Sequence, residues 1–213
     1  MTTARMRARP ATDTTPFGVM ADSWLIAGLG NPGLKYERTR HNAGFWFLDA
    51  MDREDRLSFR ANRKLHGGLA KQVWRGSDTI VLRPDTFMNH SGQAVRAAAD
   101  YYSIPLDRIL VAYDDLDLPP GTVRLKHGGG HGGHNGLRSL FQHLGKPDFW
   151  RLRIGIGHPG TREAVLSWVL GRARAEDERA IEDGIERSVS ILPDLLDGHI
   201  ERAQQALHSA TRD

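Results

Sequence analysis

His41 lies in YERTRHNAG, directly before a run with apolar residues at three-residue spacing, and so near the start of an expected helix. The positive end of a helix disfavours an imidazolium. A neutral ring there can serve as a general base near pH 7. A capping or surface histidine fits the same position. Asp114 closes the apolar run RILVAYD, and a carboxylate at the carboxyl end of a buried strand can orient an imidazole or bind a metal. With Asp115 and Asp117 beside it, DDLD also reads as an acidic metal cluster. His127, His131 and His134 in KHGGGHGGHNG have the i, i+4, i+7 spacing of zinc ligands on a helix. The glycines between them make a helix implausible, so a flap whose backbone amides meet a substrate is the favoured reading. In DTFMNHSG, Phe87 and Met88 read as core residues and Asn89 as a helix cap. No Gly-x-Ser-x-Gly elbow anchors a serine-hydrolase triad.

Composition narrows the classes further. The chain has no cysteine, which removes disulfides, thiolate catalysis and cysteine-ligated zinc, and fits a cytoplasmic enzyme. No apolar run reaches the ~18–20 residues that span a bilayer, so no membrane role is expected. The formal charge is +3 and the sequence pI about 9.4, carried largely by arginine. A guanidinium can bond two phosphate oxygens at once, although a biased genomic composition gives the same balance. Residues 1–22 are rich in Thr, Arg and Ala and lack an apolar signal core. They are expected to form a disordered leading segment, with Met20 an alternative start, ahead of one domain over residues 23–213.

The elements that must position these residues alternate. Strands are expected at Trp24–Leu29, His66–Trp74, Thr79–Leu82, Ile109–Tyr113, Val123–Lys126 and Trp150–Ile156. Helices are expected from Thr39 or Asn42 to about Arg56, and at Ser91–Tyr102, Gly136–Leu144, Glu163–Leu170 and Glu176–Leu192. That order predicts an α/β fold: a single three-layer α/β/α domain around a mixed, partly parallel twisted sheet. LIAGLGNPG contains the Gly-x-Gly-x-x-Gly spacing of a dinucleotide-binding turn. Such a turn opens directly into a helix and is followed by an acidic residue about twenty positions on. Here Pro32-Gly33 sits where the helix should begin, and Asp49 and Asp52 fall inside the expected helix, so the NAD reading is disfavoured. GLGNPG and GIGHPG instead read as tight exits from strand ends, which puts Asn31 and His158 beside the region where open α/β sheets bind ligands.

The stretches GLGNPG, YERTRHNAG, PDTFMN, DDLDLPPG, GGGHGGHNGL and RLRIGIGHPG, taken together and in this order, closely resemble the bacterial-type peptidyl-tRNA hydrolases. Only the leading segment departs from that family's pattern. The resemblance implies hydrolysis of the ester between a peptide, or an N-blocked amino acid, and the terminal ribose of tRNA, by a monomer without metal or cofactor. It implies that His41 is the base that takes a proton from water and that Asp114 orients it. Asn31 is implied to separate peptidyl-tRNA from unblocked aminoacyl-tRNA, and Tyr36, Phe87, Asn89 and Asn135 to bind substrate. Arg124, Lys126, Arg151 and Arg153 are expected to contact phosphates, on charge and nearness to the glycine-rich loop. A non-catalytic RNA-binding module of the same fold would keep the basic residues without needing His41 paired to Asp114. A metallohydrolase would use DDLD with the loop histidines.

Overall fold

The structure, a computed structural model, describes residues 23–74 and 76–209; the leading segment lies outside them. In chain order the strands are β1 (Trp24–Gly28), β2 (Arg60–Asn62), β3 (Gly67–Trp74), β4 (Ser77–Pro84), β5 (Ile109–Asp115), β6 (Val123–His127) and β7 (Trp150–Gly155). They form one sheet ordered β2-β3-β4-β1-β5-β7-β6. The four central strands β4, β1, β5 and β7 run parallel, while β2, β3 and β6 add on in antiparallel fashion at the two edges. Every residue of β1 and β5 is buried, as expected for strands covered on both faces.

Alternating side chains of β1 feed two cores. Trp24 and Ile26 pack with Phe47 and Met51 of α1 (Ala43–Asp55) and with Ile181, Ile185 and Val189 of α5 (Ala175–Ser190). Leu25 and Ala27 pack on the other face with Val95 and Ala98 of α2 (Ser91–Tyr102) and Leu137 and Leu140 of α3 (Asn135–Leu144). The result is the expected three-layer α/β/α domain.

Several boundaries differ from the sequence reading, each for a local reason. The turn before α4 keeps Glu163 out of the helix, which spans only Val165–Val169. The expected helix to Leu192 stops at Ser190. Pro193, which lacks an amide hydrogen, then opens a separate helix α6 (Leu192–Leu196). A last helix, α7 (Ile200–Ser209), packs near β6, where Gln204 Nε2 donates to Leu125 O at 3.1 Å. The sequence reading did not resolve α7. It also passed over β2, because an exposed Arg-Ala-Asn segment carries no apolar alternation.

The glycines of GLGNPG serve packing and turning. β1 leads into a single 3-10 turn at Leu34–Tyr36, with Gly33 at φ 103°, and not into a helix. A Cβ on Gly28 would lie 2.2 Å from Gly44 O, and one on Gly44 would lie 2.4 Å from Leu29 N. Glycine at both positions therefore lets α1 lie against the end of β1.

Candidate active site

From β1 the sheet grows to β4 on one side and β5 on the other, so the carboxyl ends of β1 and β5 flank a crevice at a topological switch point. Asn31 follows the end of β1, Asp114 is the last residue but one of β5, and the turn Arg40–Asn42 ahead of α1 brings His41 between them. His41 Nδ1 lies 2.9 Å and 3.0 Å from the two oxygens of Asp114. A carboxylate can only accept, so the proton sits on Nδ1 and the Nε2 lone pair faces outward. Burial works to lower the His41 pKa, but the Asp114 charge and hydrogen bond together outweigh it and hold the pKa above the ordinary 6.5. Asp114 is 2% exposed. Burial would raise its pKa, yet His41 and His134 beside it drive the carboxyl far below the usual carboxylate range.

His134 is the site residue that sequence reasoning did not single out. Its Nε2 lies 2.9 Å from Asp114 Oδ1, the oxygen that His41 also uses. Its Nδ1 accepts from the amides of Gly136 (3.1 Å) and Leu137 (3.3 Å), capping α3. Those amides fix the tautomer, placing the proton on Nε2 as a donor to Asp114. Its position immediately before NGL, at a helix start, was the available signal. His131 accepts from Gly133 N in a turn and packs its ring edge-on against Phe141, and it does not join His134 at Asp114, so the three loop histidines do not act as a set.

The donor atoms of His41, Asp114 and His134 lie within 4.8 Å of one another, the one group among the described residues placed to hold a metal ion. Its hydrogen bonding does not suit that use. A metal at His134 Nε2 would force the proton onto Nδ1, against two backbone N–H groups, and both Asp114 oxygens already accept from histidine. The DDLD reading fails as well. Asp115 accepts from Arg153 Nε at 2.7 Å and from the Asp117 amide at 2.9 Å, which makes it a local brace.

The three asparagines have different environments. Asn31 is buried and held by Asn42, whose Oδ1 accepts from Asn31 N (2.8 Å) and whose Nδ2 donates to Asn31 O (3.1 Å). Asn42 thus braces the turn that carries His41 and makes no side-chain capping bond to α1. Asn31 Oδ1 accepts from Met88 N at 2.8 Å, which leaves its Nδ2 as a donor for the cleft. Asn89 is exposed within a 3-10 turn and is not the cap of α2. Asn135 is exposed at the start of α3, with Oδ1 at 3.4 Å from Arg138 and Nδ2 available.

Two clefts meet at His41. One carries Asn31, Asn89 and an edge-on aromatic pair, Tyr36 and the half-exposed Phe87, with ring centroids 6.3 Å apart. The other runs under the glycine-rich loop past Asp114 and Lys126 to Val165 and Val169 of α4. His41, Asn135, Arg138 and Leu166 border both.

The basic residues divide. Lys126 is exposed and borders the second cleft, and Arg124 is half-buried on the same strand. Arg153 is engaged by Asp115. Arg151 corrects the sequence expectation: it is 2% exposed, and its guanidinium donates to Gly129 O and Gly130 O at 2.6 Å while lying over Phe141 and Phe149. It anchors the glycine-rich loop from beneath and is not free to meet phosphate. Tyr113, buried beside Asp115, has its hydroxyl pKa pushed up to about 12.

The chain is similar to known proteins in sequence and in fold. The family model described as peptidyl-tRNA hydrolase matches residues 25–213. The peptidyl-tRNA hydrolase of Acidithiobacillus ferrooxidans is 51% identical over 186 residues, 87% of this chain and 98% of that one. That of Neisseria gonorrhoeae is 48% identical over 185 residues, 87% and 96% of the two chains. The crystal structure of peptidyl-tRNA hydrolase from Acinetobacter baumannii superposes with a TM-score of 0.85 at 43% identity, covering 88% of this chain and 95% of that one.

Proposed function

Because the chain belongs to the bacterial-type peptidyl-tRNA hydrolase family, and so hydrolyses peptidyl-tRNA and releases tRNA, we propose that His41 is its general base and Asp114 the acid that orients it. The non-catalytic module is thereby set aside. One observation carries the assignment: Asp114 holds Nδ1–H of His41 and leaves Nε2 at the junction of the two clefts. Water at Nε2 loses its proton as its oxygen bonds to the ester carbonyl carbon, and Asp114 stabilises the imidazolium that forms. That imidazolium gives the proton to the departing ribose oxygen as the ester C–O bond breaks. His134 steadies Asp114 through Oδ1. Asn135 Nδ2, at the same junction, supplies a donor to the developing oxyanion. An ester is already activated, so neither a metal nor a covalent intermediate is needed.

The two arms of the substrate leave through the two clefts. Phe87 and Tyr36 offer an aromatic surface on which a peptide side chain can stack. Asn89 borders that surface. The second cleft, beneath the glycine-rich loop and bordered by Lys126, suits the end of the tRNA. Asn31 Nδ2 is a donor, which favours the carbonyl of an N-acylated substrate over the ammonium of an unblocked one. Lys126 and Arg124 are placed for tRNA phosphates. The absence of cysteine, and of any helix among the described residues long and apolar enough to cross a membrane, supports a cytoplasmic setting. We further propose that the protein works as a monomer without an obligate protein partner.

The test is single-turnover hydrolysis of N-acetylaminoacyl-tRNA with chelator present throughout. His41→Ala should lose about 10²–10⁴-fold in rate while binding tRNA as wild type does. Turnover that survives in His41→Ala, or a wild-type rate that collapses with chelator and returns with a divalent ion, would overturn the assignment.

A further inference from the structure

Arg151 is one of the largest fully buried side chains, and the reaction makes no use of its charge. Burial lowers its pKa, and Tyr113 beside it opposes that. A buried cation is costly unless its surroundings compensate it. Here the compensation comes from carbonyls and rings. Nη1 donates to Gly130 O and Nη2 to Gly129 O, each at 2.6 Å, with Pro147 O at 3.5 Å from Nη2. The guanidinium also lies 5.1 Å and 4.9 Å from the ring centroids of Phe141 and Phe149.

The two short bonds fall where the glycine-rich loop has least else to hold it. Its start is tied by Gly128 N, which donates to Phe149 O at 3.0 Å, and its end by His134, which caps α3 and donates to Asp114. Between them Gly129 and Gly130 are exposed and carry no side chain to pack. The next residue, His131, sets its ring edge-on against Phe141, the ring that also flanks Arg151. A Cβ on Gly129 would stand 3.1 Å from Lys126 Nζ and 3.8 Å from Arg151 Nη1, so the Lys126 ammonium lies against the stretch of backbone that Arg151 holds. Lys126 and residues 130–133 border the second cleft.

We infer that Arg151 is a positioning residue for tRNA. Through the carbonyls of Gly129 and Gly130 it holds the loop against β7, and so fixes where the loop and the Lys126 ammonium beside it meet the end of the tRNA. His41 and Asp114 are held without it, so it acts on binding and not on the reacting bond. The inference rests on the reading above that places tRNA in the second cleft.

The test compares Arg151→Met, Arg151→Lys and Phe141→Leu with wild type on N-acetylaminoacyl-tRNA and on a small N-acetylaminoacyl ester lacking the tRNA body. Hydrogen exchange is followed at Gly128 and Gly133, whose amides are bonded within the loop region. Arg151→Met should speed exchange there and raise KM for the tRNA substrate on the order of fivefold. Its kcat/KM on the small ester should stay within about twofold of wild type, with the acidic limb of the pH profile in place. Arg151→Lys should recover part of the loss, because an ammonium keeps the charge without the fork that reaches both carbonyls. Phe141→Leu leaves Arg151 in place and should give the same pattern in milder form, which keeps the test decisive if Arg151→Met does not fold. In a Lys126→Ala background, Arg151→Met should add less than it costs alone and leave the slope of log affinity against log salt unchanged. A further fall in that slope by about one would make Arg151 a phosphate contact itself and overturn the inference. Unchanged exchange, or a moved acidic limb, would overturn it as well. Faster exchange with equal losses on both substrates would keep the anchor and overturn the placement of the tRNA.

Discussion

A single oxygen, Asp114 Oδ1, accepts from two histidines, and that sharing sets how strong a base His41 is. His134→Asn isolates it, because asparagine can still cap α3 while the donor to Asp114 is withdrawn. The carboxylate charge is then less dispersed and acts more strongly on the His41 imidazolium. The acidic limb of kcat should therefore move to higher pH with the unfolding midpoint nearly unchanged. A limb that stays in place would show that His134 only caps the helix. At Asn31 the orientation of the amide decides the outcome, since Oδ1 is held by Met88 N. Asn31→Asp replaces the cleft-facing donor by an anionic acceptor. The ratio of rates on acetylated against unblocked aminoacyl-tRNA should fall, and an unchanged ratio would remove Asn31 from selectivity. The sequence made His41 and Asp114 visible one by one, as a residue at a helix start and a residue at a strand end, but pairing across 73 positions needed the fold or the family resemblance. His134 was obscured by the regular spacing of the loop histidines. Arg151 was misread because WRLRIG alternates like a strand with its arginines in water, whereas the glycine-rich loop folds over Arg151.

At the scale of elements, the parallel core was legible because fully apolar strands alternate with amphipathic helices. The short β2 and the 3-10 turns were not, since they are held by tertiary contacts and carry no periodicity of their own, whereas α4 was expected and is only shorter than its pattern. The glycine spacing that imitates a nucleotide-binding turn is explained by the contact between β1 and α1. Gly44→Ala would set a methyl 2.4–2.5 Å from backbone atoms of Leu29 and Ala112, which cannot yield as a side chain end does. It should lower stability by about 1–3 kcal/mol, the usual cost of overpacking. It should also reduce kcat, because α1 begins two residues after His41. Urea unfolding gives the first quantity, and an unchanged midpoint would mean that the close approach is not required.

Over the whole molecule the net charge is a modest +3, yet Lys126, Arg138, Arg153 and Arg162 border the second cleft, which suits a substrate that is mostly polyanion. Lys126→Ala should weaken tRNA binding and reduce the slope of log affinity against log salt by about one. A small ester lacking the tRNA body should be hydrolysed as before, and equal losses on both would place Lys126 at the reacting bond. The central claim is that the electrostatics of one buried carboxylate make a histidine at the junction of two clefts the base. The measurement that tests it most directly is kcat against pH for wild type and Asp114→Asn, with chelator present. Neutral His41 is the active form, so its pKa marks the acidic limb, which in the wild type should lie above 6.5. Asparagine removes the charge and the strong hydrogen bond and leaves only burial, which favours the neutral ring. The account predicts a limb displaced to lower pH and a lower plateau; a limb that stays or moves to higher pH would contradict it.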